Sequence, residues 1–111
     1  MSRATKLPPI YTKAYNFQIS LFKASAKFPK YYRPTLGQRL EATSLDLTIR
    51  IRTGLKMQSG VQLKKLLTHI DGIKVMLQTC FDLGIIGVGS FSVLSEEVSE
   101  IGSTLLSFEG Q

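Results

Sequence analysis

Lys23, Lys27 and Lys30 stand at i, i+4 and i+7, so a helix continued through them lines up their ammonium groups on one face. Arg33 follows, with Tyr31 and Tyr32 just before it. Cations interleaved with aromatic rings suit nucleic acid of any sequence, because the charges meet phosphates and the rings stack on bases. The same residues also fit a solvated lysine face with tyrosines packed on the end of a helical bundle. Lys13, Arg39 and Arg50 extend the basic set, although Arg39 and Arg50 share a helix face with Asp46, which neutralises part of their charge. Arg52 and Lys56 form a separate i, i+4 pair with no acidic partner on their face.

Other chemistry is hard to assemble. The chain holds a single histidine, His69, and a single cysteine, Cys80, so no clustered metal site and no intrachain disulfide are expected. The inward Glu-x-x-His pairs of a helical di-metal site are absent. Cys80 falls on an apolar stripe and reads as a small buried hydrophobe, and His69 reads as a flank residue beside Ile70. The serines lack a second histidine and a glycine-framed elbow. Gly84-Ile85-Ile86-Gly87-Val88-Gly89 has no P-loop lysine and follows a helical pattern, so it reads as a turn. Glu96, Glu97 and Glu100 lie mostly off the apolar stripe of their segment, which predicts a solvated or subunit-facing surface rather than a general-acid set. No catalytic residue, metal or cofactor is expected.

The charge is unevenly spread. Residues 1–60 hold eleven Lys/Arg against Glu41 and Asp46, a net of +9, and residues 61–111 hold three against six, a net of −3. One side of the molecule should be basic and another acidic. A basic face attracts RNA, DNA or an acidic protein, and can equally dock on an acidic face of a neighbouring subunit. With 111 residues and 43% hydrophobic content the chain is expected to form one globular domain. Met1 to Ile10 has no apolar stretch of the secretory kind, and the longest uncharged run, Leu83 to Ser95, is too short and too glycine-broken to cross a bilayer. The expected location is cytoplasmic, with no membrane contact.

Four segments with helical periodicity must position these residues. Ile10, Ala14, Phe17, Leu21, Ala24 and Phe28 make the seam of the first, opened by Pro8-Pro9 and closed by Pro29. The second carries Leu36, Leu40, Leu47 and Ile51, and beside them Ala42, Leu45 and Ile49, a width that predicts two packed neighbours. The third buries Leu63, Leu66, Leu67, Ile70, Ile73, Leu77, Cys80 and Phe81, with Gly72 inside it either for close helix approach or as a tolerated flaw. The fourth carries Phe91, Leu94, Val98, Ile101, Leu105 and Phe108, with Gly87, Ser90 or Ser92 as its cap. The predicted spans are about 9–28, 35–57, 61–83 and 90–108. Short turns force antiparallel neighbours, so the expected fold is all-α, an up-down-up-down four-helix bundle.

Three stretches resemble a known family. Phe28-Pro29-Lys30 closes the first helix, Thr35-Leu36-Gly37-Gln38-Arg39-Leu40-Glu41 opens the second and continues to Ser44-Leu45-Asp46-Leu47, and Glu100-Ile101-Gly102 lies in the last. In order and separation they resemble the Avd proteins, the accessory variability determinants of diversity-generating retroelements. The ribosomal-RNA intervening-sequence proteins are a sister family with the same Phe-Pro-Lys turn. Their second helix typically ends in Asn-Ile-Ala-Glu-Gly, whereas Arg50-Ile51-Arg52-Thr53-Gly54 stands here, which favours the Avd resemblance.

The resemblance implies a four-helix bundle assembled as a homo-oligomer, a ring of five. It implies a non-catalytic accessory protein that binds the element's reverse transcriptase and, through a basic surface, its template RNA or cDNA in support of mutagenic retrohoming. The chain departs from the family at its end, where Leu106-Ser107-Phe108 replaces Gly-Gly-Trp, and no Lys or Arg follows Lys74. A working basic surface would therefore come mainly from the first two helices. Two other readings stay open: an RNA- or ribosome-associated bundle of the sister type, and a purely structural homo-oligomer.

Overall fold

Pro9 opens α1 (Pro9–Ser25) at a position whose missing N–H has no helical partner anyway. The computed structural model describes residues 9–54 and 60–109. Ile10, Ala14, Phe17 and Leu21 are buried along α1 as the four-and-three spacing predicts, and the next seam position is taken by Ser25 rather than by the half-buried Ala24. The helix stops three residues earlier than expected. Phe28 cannot stay helical before Pro29, so the chain winds down through tighter bonds, Lys27 N–H to Ala24 O at 3.1 Å and Phe28 N–H to Ser25 O at 3.0 Å.

The start of the second helix shifts as well. Residues Arg33–Gly37 form a π-helical turn, with Gly37 N–H reaching Tyr32 O at 3.0 Å, and α2 (Gln38–Thr53) begins only after it. Gly37 is buried, and a Cβ there would lie 3.4 Å from the Phe28 ring, so glycine lets the turn close over that ring. Leu40, Leu47 and Ile51 are buried. The expected second stripe is not buried: Ala42, Leu45 and Ile49 face outward, Ile49 with 51% of its surface exposed. The buried α2 positions beside the seam hold Ser44 and Thr48 instead, whose hydroxyls donate to the helix's own carbonyls, Glu41 O at 3.0 Å and Ser44 O at 2.9 Å. A hydroxyl satisfied in this way can be buried at little cost, so hydropathy misassigns the face.

α3 (Gly60–Asp82) buries Leu66, Ile70, Ile73, Leu77 and Cys80, with Leu63, Leu67 and Phe81 packed against them. It ends in a Schellman turn: Ile85 N–H donates to Cys80 O at 2.8 Å, Gly84 N–H to Phe81 O at 3.0 Å, and Gly84 takes φ +74°. α4 (Val88–Glu109) starts two residues earlier than expected, with Gly87 at its cap, and buries Leu94, Val98, Ile101 and Leu105. The expected core residue Phe108 lies outside the side chains described.

Each helix packs on two others, α1 on α2 and α4, and α3 on α2 and α4. Cross-contacts fix the directions. Ser25 meets Glu41 while Tyr11 meets Arg52, so α2 runs against α1, and Ser20 meets Glu97 while Lys13 meets Thr104, so α4 runs against α1 as well. The four helices form an all-α bundle with no strand among the described residues. No described helix is long and apolar enough to cross a membrane.

The two helical glycines differ. Gly102 is buried in contact with Ile70, 3.8 Å from where a Cβ would sit, and serves the α3–α4 approach. Gly72 has nothing within 4 Å of a Cβ, which selects the tolerated-flaw reading. Gly72→Ala is expected to stabilise the bundle by about 1 kcal/mol through helix propensity alone. Thermal unfolding by circular dichroism checks this, and an unchanged or lower Tm would contradict it.

Candidate nucleic-acid interface

The first forty residues contain no Asp or Glu, and the chain reverses direction inside that stretch, between α1 and α2. The turn therefore gathers cations at one end of the α1–α2 pair. Lys23 lies in the last turn of α1, Lys27 and Lys30 in the descent from it, Arg33 at the start of the π-helical turn and Arg39 in the first turn of α2. All five are exposed, and none pairs with a carboxylate among the described residues. The nearest carboxylate in sequence, Glu41, is turned inward onto the Ser25 hydroxyl. The expected single helical face of Lys23, Lys27 and Lys30 is not what joins them, since α1 ends at Ser25; the turn does it instead.

The turn is held from within. Phe28 is buried, and its carbonyl accepts from Arg33 Nε at 3.1 Å. Pro29 O accepts from Tyr32 N–H at 2.8 Å, and Tyr32 O accepts from Thr35 N–H at 3.3 Å. Tyr31 is left with 79% of its surface exposed, and the Tyr32 ring meets it edge-on with centroids 5.0 Å apart. Charges and an open ring thus sit on a backbone that is already ordered.

The remaining candidates lie elsewhere. Lys13 pairs with Glu100 on α4 at 2.9 Å and donates to Thr104 at 3.2 Å. Arg50 pairs with Asp46 at 2.9 Å, and Arg52 lies over the Tyr11 ring, 5.2 Å from its centroid. Lys56 falls outside the described residues. The structure thus divides the predicted basic set into an unneutralised group at the turn and a group engaged within the chain.

Two polar arrangements went unseen in the sequence. His69 is more than a flank residue: its Nε2 lies 2.7 Å from Asp46 Oδ2, linking α3 to α2, and its Nδ1 lies 2.8 Å from Lys65 O. The Arg50 hydrogen bond and then that of His69 hold the Asp46 carboxyl below its ordinary value. The i, i+4 spacing of Asp46 and Arg50 was readable, but the His69 contact depends on the register between two helices. Glu97 is the second case. It faces α1 and its Oε1 is buried without a partner among the described residues. Burial pushes its carboxyl above the ordinary value of 4.5, the Ser20 hydroxyl pulls it back, and the charge of Glu100 pushes it up again.

A carboxyl whose folded value is raised favours the fold fully below its unfolded value of 4.5 and loses that contribution as pH rises through the folded value. Glu97→Gln, which cannot ionise, is therefore expected to raise the Tm at neutral pH and to leave it nearly unchanged below pH 4.5. Thermal melts of both proteins across that range read this out, and an equal shift at every pH would show that ionisation is not the cause.

Among the described residues no group of three or more His, Cys, Asp or Glu could hold a metal ion. Cys80 is buried, and burial pushes its thiol up to about 11, where little thiolate forms at neutral pH. The groove between α2 and α3, lined by Arg39, Thr43, Asp46, Thr68 and His69, has its carboxylate and imidazole already bonded to each other. No protein-family model matches the chain, and no curated protein matches it in sequence.

Proposed function

We propose that this protein is a non-catalytic accessory factor of a diversity-generating retroelement, binding template RNA or cDNA at the α1–α2 turn and reverse transcriptase through another face. The observation that carries the nucleic-acid part is the turn itself, where five exposed cations and an exposed tyrosine lie along one end of the α1–α2 pair. An array of this kind attracts phosphates without reading sequence, as an accessory factor for copying a template requires. The retroelement and the reverse transcriptase come from the Avd resemblance in Phe28-Pro29-Lys30, in Thr35 to Glu41 and in Glu100-Ile101-Gly102.

A protein partner has support of its own kind. Tyr15 and Ile19 on α1, and Leu45 and Ile49 on α2, are exposed along the outer side of the same helix pair. Exposed apolar side chains on two neighbouring helices suit a protein interface, with the polymerase or with further copies in a homo-oligomeric ring, five by the resemblance. Action inside the cytoplasm belongs to the same proposal.

The test is co-purification of the tagged full chain from its own cells, with bound protein and RNA identified together. Recovery of a reverse transcriptase with its template RNA supports the proposal. Ribosomal RNA in its place would favour the sister-family reading, and copies of the chain alone would favour a structural oligomer.

A further inference from the structure

We infer that the α1–α2 turn takes single-stranded rather than duplex nucleic acid, with the Tyr31 ring as a base-stacking platform. This rests on the nucleic-acid reading above and names its ligand class and its central residue. A cluster of cations alone would accept any polyanion, duplex included. What departs from that is the ring. Tyr31 keeps 79% of its surface open, although an aromatic side chain with nothing to meet gains by folding onto the protein. Tyr32 meets it edge-on, and Tyr32 is itself fixed by backbone bonds on both sides, its N–H to Pro29 O and its O to Gly37 N–H. The ring is thus presented outward on an ordered turn.

Bases inside a duplex have both faces covered by their neighbours, and only their edges can be reached from a groove. A free tyrosine ring can stack on a base only where the strand is single or has been opened. Lys27 and Lys30 precede the ring, Arg33 follows it, and all three are exposed. A strand whose base lies on Tyr31 would have its flanking phosphates within the field of cations on both sides. Arg33 keeps part of its guanidinium for this, since among the described residues only its Nε is engaged, with Phe28 O.

The experiment compares a fluorescently labelled single-stranded RNA of about twelve nucleotides with a duplex of the same length, against the full chain and its Tyr31→Ala and Tyr31→Phe variants. Tyr31 is exposed, so both variants should keep the wild-type circular dichroism. The expected result is a loss of about tenfold or more in single-strand affinity for Tyr31→Ala, near-wild-type affinity for Tyr31→Phe, and little change on the duplex. A single-stranded probe carrying 2-aminopurine should be quenched by wild type and Tyr31→Phe but not by Tyr31→Ala. Equal loss on both probes, or no loss on either while lysine substitutions still weaken binding, would overturn the stacking inference and leave the nucleic-acid reading standing. Failure of wild type to bind either probe at about 50 mM salt would overturn both. Polyglutamate bound as tightly as RNA, with no dependence on Tyr31, would assign the turn to an acidic protein instead.

Discussion

Lys27→Glu combined with Lys30→Glu is expected to weaken RNA binding roughly a hundredfold at about 0.1 M salt while leaving helicity and melting intact. The size follows from counterion release. Each phosphate contact on a single strand contributes about 0.7 to the slope of log affinity against log salt, worth roughly fivefold per contact at that salt. Two lost contacts give about twenty-fivefold, and the two reversed charges then repel the strand, which brings the total to roughly a hundredfold. The salt slope supplies a second readout. Five cations engaged at once predict about −3.5, and the double variant should lie near −2.1. Because both lysines are exposed and neither pairs with a carboxylate among the described residues, the fold has little stake in them. Unchanged affinity with an unchanged slope would remove the turn from the binding surface. As a control on position, Lys13→Gln should move RNA affinity much less, since Lys13 is already held by Glu100.

That control marks how far the sequence could be read. The helical seams were legible because apolar spacing and burial agree: Ile10, Ala14, Phe17 and Leu21 on α1, Ile70, Ile73 and Leu77 on α3, and Leu94, Val98 and Ile101 on α4 are all buried as expected. Agreement failed on α2, where polarity and burial part company. Ser44 and Thr48 are buried because their hydroxyls bond to nearby carbonyls, and Leu45 and Ile49 stay outside. Hydropathy counts a hydroxyl as polar whether or not the helix satisfies it, so the Leu40, Leu47 and Ile51 seam is read correctly while the stripe beside it is placed on the wrong side.

The basic set was legible as a list of residues and not as a surface. Spacing brought Lys23, Lys27 and Lys30 together by an α-helical argument, whereas the chain brings them together by a turn that spacing does not describe. Which cations remain unneutralised depends on contacts between residues far apart in the chain. Lys13 reaches Glu100, and Ser25 draws in Glu41, and both follow from how α1 sits between its neighbours. Local sequence carries no signal for either. The i, i+4 pair Asp46–Arg50 is the exception, because one helix contains both partners.

Phe17→Ala is expected to cost about 3–5 kcal/mol and to lower the Tm by roughly 15–25 °C. Among the described residues Phe17 is the largest of the fully buried side chains, 1% exposed at the middle of α1, in a core cluster to which all four helices contribute. Removing its ring takes away the transfer free energy of the lost carbons and leaves a cavity that rigid neighbouring helices can only partly fill. A domain of this size has about 5–15 kcal/mol of net stability, so the variant should fold at low temperature and be largely unfolded well below the wild-type midpoint. The turn is anchored by Phe28 and by its own backbone bonds, two turns or more along the chain from Phe17. RNA affinity per folded molecule should therefore stay at the wild-type value in the cold, while the lysine and Tyr31 variants show the converse, lost affinity with an intact melt. A Phe17→Ala protein that melts within a few degrees of wild type would mean that the core is less tightly packed than its burial indicates. One that is folded but no longer binds RNA would mean that the bundle core, and not the turn alone, sets the binding geometry.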